Sequence, residues 1–154
     1  MNTLGDNLDY NLAERQIRDI ISREDDFLLK NVIDYLYENF ENYSWVGIYL
    51  VKGNYLILGP WKGPNATEHT KIPIGKGICG SAAASGQTEI ISDVNADKRY
   101  LSCFVSTKSE IVVPIRKDGK VLGEIDIDSD KKSAFTNKDK EFLEKIADML
   151  SLHI

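Results

Sequence analysis

The segment SEIVVPIRKDGKVLGEIDIDS, residues 109–129, decides the fold that we expect for this chain. Two runs rich in β-branched residues flank the stretch RKDGK, which has the composition of a tight loop, so the segment predicts a β-hairpin. A three-residue loop that ends with Gly119 in the left-handed conformation would place Glu110 opposite Asp126. In that register one face is uniformly apolar, whereas a loop shorter by one residue would mix the two faces.

The opposite face of the predicted hairpin is acidic. It carries Glu110, Asp126 and, two residues farther along the strand, Asp128. Facing residues lie roughly 5 Å apart and alternate residues of one strand roughly 7 Å apart, so the three carboxylates could contact one small ligand. A solvated sheet face is the common explanation of alternating charge, but like charges placed opposite each other destabilise a sheet. If a loop covers these groups, repulsion and desolvation should raise at least one carboxyl pKa.

Two cysteines, Cys79 and Cys103, add a second element of candidate chemistry. Both lie in loop-like stretches rather than on a periodic apolar face, as reactive thiols do, although inert buried thiols remain the alternative. Cys79 is expected in the first turn of a short helix, residues 78–85, where unpaired N–H groups and the helix dipole favour a thiolate. A carboxylic acid beside a cysteine is a plausible proton donor for a reduction.

The remaining pattern predicts an α+β fold. Apolar residues recur at helical spacing in two N-terminal segments and again after a capping pair, Thr136 and Asp139. Other expected elements are a first hairpin in 44–58, a loop in 59–71, an edge strand in 72–74 and a brief strand in 88–91. We expect an antiparallel sheet with helices packed on one side. A single domain would span residues 1–154, with N-terminal helices in 1–43 and the sheet core, pocket loops and last helix in 44–154.

Composition narrows the classes of function. The 154 residues are 42% hydrophobic and 28% charged, as in an ordinary globular domain, and the net charge of -5 without a basic patch argues against nucleic acid. No signal peptide or bilayer-spanning run is visible, so we expect a cytoplasmic protein with no membrane partner, in which both cysteines are thiols at rest. The isolated His69 and His153 assemble no tetrahedral metal site, and no cofactor is expected.

Five segments together resemble the free methionine-R-sulfoxide reductases, a family of single-domain GAF proteins. They are SWVGIYL (44–50), LGPWKG (58–63), IPIGKGICGS (72–81), SEIVVP (109–114) and EIDIDS (124–129). The most specific part is the combination of Cys79, Cys103 24 residues later, and Glu110 seven residues beyond.

The resemblance implies an enzyme that reduces free L-methionine-R-sulfoxide. Cys103 matches the nucleophilic cysteine and Cys79 a resolving cysteine. The residues that match the substrate pocket are Trp45, Tyr49, Glu110, Asp126 and Asp128, and a protonated carboxyl among the last three would also donate to the departing oxygen. A Cys79–Cys103 disulfide would follow, which a thioredoxin-like dithiol would reduce without metal or organic cofactor.

The chain departs from the family pattern near both cysteines. Family members often carry a third cysteine where this chain has His69, so Cys79 alone would resolve the nucleophile. The stretch RYLSCF, residues 99–104, replaces the usual GHIACD and resembles both two-cysteine members and GAF domains that only bind ligands. Two alternatives therefore stay open: a GAF sensor module that binds a small ligand without chemistry, and a thiol redox switch. The N-terminal helices could pair across a homodimer.

Overall fold

The computed structural model describes residues 9–102 and 104–154, so Cys103 lies outside the described residues. The helices are α1 (Tyr10–Ser22), α2 (Leu28–Asn39), α3 (Gly77–Ser85) and α4 (Asn137–Leu150), with a short 3-10 turn at Val94–Ala96. The strands are β1 (Trp45–Lys52), β2 (Tyr55–Lys62), β3 (Lys71–Pro73), β4 (Glu89–Ile91), β5 (Ser109–Lys117) and β6 (Lys120–Ser129). No helix in this described part combines the length and apolar character that crossing a bilayer requires.

The strands form one antiparallel sheet in the order β3-β2-β1-β6-β5-β4, which confirms the α+β prediction. The first hairpin extends farther than expected, because β2 continues to Lys62 into the stretch predicted as a loop. Gly59 and Pro60 lie where the pairing of β1 with β2 shifts register. A proline is tolerated at such a bulge since its missing N–H is not needed there, so the Gly-Pro pair bends the strand without ending it.

The turn of the β5–β6 hairpin differs from the predicted one. Its loop contains two residues, Asp118 and Gly119, with φ values of 54° and 78°, and Lys117 pairs with Lys120. Two successive residues with positive φ are typical of the type I′ turn, which matches the twist of the flanking strands. The loop is therefore one residue shorter than expected.

A bulge in the same hairpin compensates for the shorter loop. Leu122 has no partner on β5, so the register shifts a second time and Glu110 lies opposite Asp128, not opposite Asp126 as predicted. The predicted register is thus wrong by two residues. Because side chains alternate with a period of two, an even shift leaves the apolar and acidic faces separate.

The main core lies between the apolar face of the sheet and the helices α1, α2 and α4. These three helices pack on one side, as expected, whereas α3 packs on the opposite face with a smaller apolar cluster. The start of α4 confirms the predicted capping box of Thr136 and Asp139. The buried Asp139 carboxylate also accepts hydrogen bonds from the hydroxyls of Tyr10, at 3.2 Å, and Tyr43, at 2.7 Å, which tie α1 and the approach to β1 to α4.

Close backbone packing in the central strands predicts a strong effect of Gly123→Ala. A Cβ at Gly123 would lie 2.5 Å from the Tyr49 carbonyl oxygen, so the substitution should lower the free energy of unfolding by about 3 kcal/mol. Gly53→Ala is the matched control, because Gly53 has a φ of 61° and no atom within 4 Å of the added Cβ. This substitution should lower the free energy of unfolding by only about 1 kcal/mol, the cost of a left-handed backbone conformation. Urea denaturation of both variants measures the difference; equal losses would contradict the close-packing argument.

Candidate active site

The acidic face lies on the side of the sheet that carries α3. Pairing of β1 with β6 aligns Trp45 with Asp128 and Tyr49 with Glu124, and Glu110 on β5 borders the same row. The structure brings together and buries six predicted site residues, namely Cys79, Trp45, Tyr49, Glu110, Asp126 and Asp128. They form a compact floor on the central strands, with Cys79 contributed by α3.

Cys79 contacts the carboxylates directly. Its Sγ donates a hydrogen bond to Glu110 Oε2 at 3.8 Å. The thiol and one oxygen each of Glu110 and Asp126 all lie within 4.8 Å of one another. This spacing allows the groups to share protons, and it would equally let them hold a small cation.

The thiol of Cys79 is not the thiolate that its helical position predicted. Burial raises its pKa well above the ordinary value, and the surrounding carboxylates raise it further. The expectation is wrong because these effects outweigh the helix dipole: the side chain is only 8% exposed and faces negative groups. A protonated thiol is a weak nucleophile, so this environment suits a cysteine that reacts second rather than first.

Burial also raises the pKa of the carboxyl groups of Asp126, Asp128 and Glu124, which confirms the expectation of at least one raised carboxyl pKa. Repulsion from Asp126 adds to the effect of burial on Asp128 and Glu124. Asp126 Oδ1 and Asp128 Oδ1 accept no hydrogen bond within the described residues. Burial and mutual repulsion therefore favour the protonated forms of these three carboxyls, as a proton donor requires.

The Trp45 ring forms the apolar wall of the site. A Cβ at Gly47 or Gly63 would lie 2.4 Å from the ring, so only glycine at these positions leaves room for it. The indole Nε1 donates to the Asn65 carbonyl at 3.2 Å. Trp61 stacks on the ring with centroids 6.1 Å apart. The indole is thus held in one orientation above the strands.

Two loops close over the site. The Tyr49 hydroxyl donates to the His69 carbonyl at 2.7 Å, and His69 Nε2 lies 3.2 Å from the Ser102 carbonyl oxygen. Arg99 anchors the second loop through hydrogen bonds of 2.9 and 3.1 Å to Glu89. His69, which sequence analysis noted as an isolated histidine in place of a family cysteine, therefore joins the two loops through its contacts with Tyr49 and Ser102.

Sequence analysis overlooked Glu124. Its side chain is 0% exposed, and neither carboxylate oxygen accepts a hydrogen bond within the described residues by ordinary distance criteria. The sequence did contain a signal for this residue. In the segment EIDID, residues 124–128, acidic and apolar residues alternate, which places Glu124 on the same strand face as Asp126 and Asp128. Only the packing of α3 shows that the position is sealed from water.

Known proteins share both the sequence pattern and this architecture. Residues 26–154 match the family model described as GAF domain. The free methionine-R-sulfoxide reductase of Saccharomyces cerevisiae is 46% identical over 112 residues, which cover 70% of this chain and 61% of the yeast protein. The reduced form of fRMsr of Staphylococcus aureus has a TM-score of 0.86 at 40% identity, covering 94% of each chain. Free methionine-R-sulfoxide reductase from Neisseria meningitidis, in complex with its substrate, has a TM-score of 0.87 at 37% identity, covering 93% of this chain and 86% of that chain.

The buried carboxyl of Glu124 predicts a stability that falls as pH rises. Its pKa is raised above the ordinary value of 4.5, so the group favours folding below that value and loses the contribution as pH increases through the native pKa. Glu124→Gln should therefore raise the free energy of unfolding at pH 8 by about 1 kcal/mol and flatten its pH dependence.

The control is Asp139→Asn, at a buried carboxylate that accepts several hydrogen bonds. This substitution should destabilise the protein by about 1 kcal/mol, because an amide NH2 replaces one of the two carboxylate oxygens that accept these hydrogen bonds. Denaturant titrations from pH 5 to pH 8 compare the variants. A lower free energy of unfolding for Glu124→Gln at pH 8 would contradict the inference that the buried Glu124 carboxyl destabilises the protein at high pH.

Proposed function

The chain belongs to the free methionine-R-sulfoxide reductases, a family of GAF domains, and on this premise we propose that it reduces free L-methionine-R-sulfoxide to methionine. The resemblance and the GAF-like fold expected from the sequence are thereby confirmed. The observation that carries the proposal is the buried group of carboxyls, Glu110, Asp126 and Asp128, which lies beside the Trp45 ring and the Cys79 thiol.

The first step assigns Cys103 as the nucleophile. Its thiolate attacks the sulfur of the sulfoxide, the S–O bond breaks, and the oxygen remains on Cys103 as a sulfenic acid while methionine leaves. The raised pKa values of Asp126 and Asp128 support proton donation to that oxygen, because a carboxyl that keeps its proton near neutral pH is a competent general acid.

Substrate binding is assigned to the same floor. One carboxyl of Glu110, Asp126 and Asp128 acts as the proton donor, and the remaining carboxylates would bind the ammonium group of a free amino acid. The Trp45 ring offers an apolar surface for the methyl and thioether portion. Tyr49 supports the loop above through its bond to His69. A small enclosed site suits a free amino acid, whereas a peptide chain would have to pass through the two loops.

The second step assigns Cys79 as the resolving cysteine. Its thiol condenses with the sulfenic acid of Cys103, which gives a disulfide and water. A dithiol such as thioredoxin would restore both thiols, and this cycle fits a reducing compartment such as the cytoplasm.

Epimer-specific turnover tests the proposal. With dithiothreitol as reductant and EDTA present, the wild type should consume free L-methionine-R-sulfoxide but not the S epimer, and Cys103→Ser should abolish consumption. Glu110→Gln should lose sulfoxide reduction yet still form the disulfide with peroxide, which separates a reductase from a redox switch. No consumption of either epimer by well-folded protein would leave a ligand-binding module as the better account.

The position of Trp45 predicts a specific effect of Gly47→Ala. The added methyl group would displace the indole, because its Cβ would lie 2.4 Å from the ring. The KM for the sulfoxide should rise about tenfold or more, since small displacements of a binding wall weaken positioning strongly. Gly53→Ala, whose added Cβ has no atom within 4 Å, should leave KM unchanged. An unaltered KM in Gly47→Ala would contradict the assignment of Trp45 to the substrate-binding site.

A further inference from the structure

Three side chains of types that bind metal ions lie close together on the α3 side of the sheet. Cys79 Sγ and one oxygen each of Glu110 and Asp126 are all within 4.8 Å of one another, and Sγ lies 3.8 Å from Glu110 Oε2. All three residues are buried. The thiol comes from α3 and the two carboxyls from β5 and β6, so regular elements rather than loops hold the group in place.

The Asp126 carboxyl has binding capacity that its surroundings do not use. The side chain is 3% exposed, and its Oδ1 accepts no hydrogen bond from the described residues by ordinary distance criteria. Asp128 Oδ1 and both oxygens of Glu124, on the same strand face, share this property. A buried carboxylate without a partner costs free energy, which either a proton or a bound cation reduces. The unused Asp126 oxygen therefore points to a cation as a ligand, independently of the spacing of the three groups.

The spacing fits tetrahedral coordination of zinc. A Zn–S bond of about 2.3 Å and a Zn–O bond of about 2.1 Å, at a tetrahedral angle, separate sulfur and oxygen by about 3.6 Å. The distance of 3.8 Å between Cys79 Sγ and Glu110 Oε2 is close to this value. The Asp126 oxygen, within 4.8 Å of both atoms, would reach the third corner of the tetrahedron after a small side-chain rotation. Water would complete the coordination at the fourth corner.

The combination of a sulfur and two oxygens selects the class of ion. Mg²⁺ and Ca²⁺ prefer shells made entirely of oxygen, whereas Zn²⁺ binds both cysteine sulfur and carboxylate oxygen. A dication would also offset the repulsion among the carboxylates and keep Cys79 as a thiolate. The group contains no histidine, so it differs from the histidine-based site that sequence analysis considered.

We propose that Cys79, Glu110 and Asp126 form a binding site for Zn²⁺ and that the bound ion inhibits the enzyme. Binding releases the protons of these groups to the solvent. The ion occupies two carboxyls assigned to the sulfoxide, so it competes with the substrate, and it holds the thiolate that would otherwise attack the sulfenic acid. The site rests on geometry alone, whereas the inhibition rests on the proposed function. Because the ion is an inhibitor, the prediction that the cycle needs no cofactor is unaffected.

Cobalt substitution tests the site directly. Co²⁺ occupies tetrahedral zinc sites and gives a sulfur-to-metal charge-transfer band in the near ultraviolet when a thiolate is a ligand. A phosphine keeps the thiols reduced, because dithiothreitol itself binds zinc. Wild type with equimolar Co²⁺ should show the band, and added Zn²⁺ should abolish it. Cys79→Ser should lose the band, whereas the matched control Cys103→Ser, which removes the other cysteine of the chain, should keep it.

The two carboxyl ligands are tested by zinc affinity, measured by titration calorimetry. Glu110→Gln and Asp126→Asn should each weaken Zn²⁺ binding at least about tenfold, because even the loss of an outer partner of a ligand costs about 10- to 100-fold. Glu144→Gln, which changes a carboxylate bonded to Thr88 outside the cluster, should bind as the wild type does. Thermal unfolding of the same proteins shows that they are folded. Zn²⁺ should raise the Tm of the wild type but not that of Cys79→Ser.

Inhibition is tested in a single turnover without reductant. Methionine released from R-sulfoxide by the reduced wild type should form more slowly when Zn²⁺ is present at a low sulfoxide concentration. Excess sulfoxide should restore the rate because the two ligands compete, and EDTA should restore it at any sulfoxide concentration. An unchanged rate with Zn²⁺ bound would overturn the inhibition.

Three results would overturn the site itself: no band in the wild type, a band that persists in Cys79→Ser, or wild-type zinc affinity in both carboxyl variants. Failure of the proposed function is a separate result. If the wild type consumes no sulfoxide in the presence of EDTA but shows a band that depends on Cys79, the zinc site stands and the reductase assignment falls. Normal turnover without the band gives the opposite conclusion.

Discussion

The constraint on which the site depends is the burial of four carboxyl groups and one thiol on the central strands of a single sheet. Charged carboxylates in a medium of low polarity repel one another and lose their hydration, so burial raises the pKa of Glu124, Asp126 and Asp128 and favours their protonated forms. The surrounding elements keep the cluster buried. The helix α3 covers one end, the Trp45 ring the other, and the two loops joined by His69 close the top.

The opposite face of the same strands forms the main apolar core, and its burial offsets the free-energy cost of burying the carboxyl cluster. Alternate residues of β5 and β6 point into a continuous apolar core with α1, α2 and α4, in which Ile111, Val113, Ile125 and Ile127 are almost fully buried. Because side chains alternate between the two faces of a strand, β5 and β6 contribute apolar core residues on one face and candidate site residues on the other. The close approach of Gly123 to β1 keeps this double-sided sheet compact.

The sequence was sufficient to predict which residues share a face, but not which residues lie opposite one another. The apolar pattern restricts the hairpin to registers that differ by an even number, and the sequence could not distinguish a three-residue loop from a type I′ turn combined with a bulge at Leu122. The sequence left the burial of Cys79 open as an alternative for a different reason. It depends on the close packing of α3, where a Cβ at Gly80 would lie 2.7 Å from the Pro73 carbonyl oxygen, and such contacts have no local sequence signature.

The arrangement of the acids bears on the choice between chemistry and simple ligand binding. A module that only binds an ammonium group needs ionised carboxylates directed at the ligand, and it gains nothing from acids that face a buried thiol. Here the Cys79 thiol donates to Glu110, and one oxygen of Asp126 lies within 4.8 Å of both groups. Burial and these carboxylates raise the pKa of the thiol, which weakens Cys79 as an independent nucleophile. In the proposed cycle such a thiol attacks an oxidised cysteine rather than the substrate, and the acids around it favour a redox enzyme over a passive sensor.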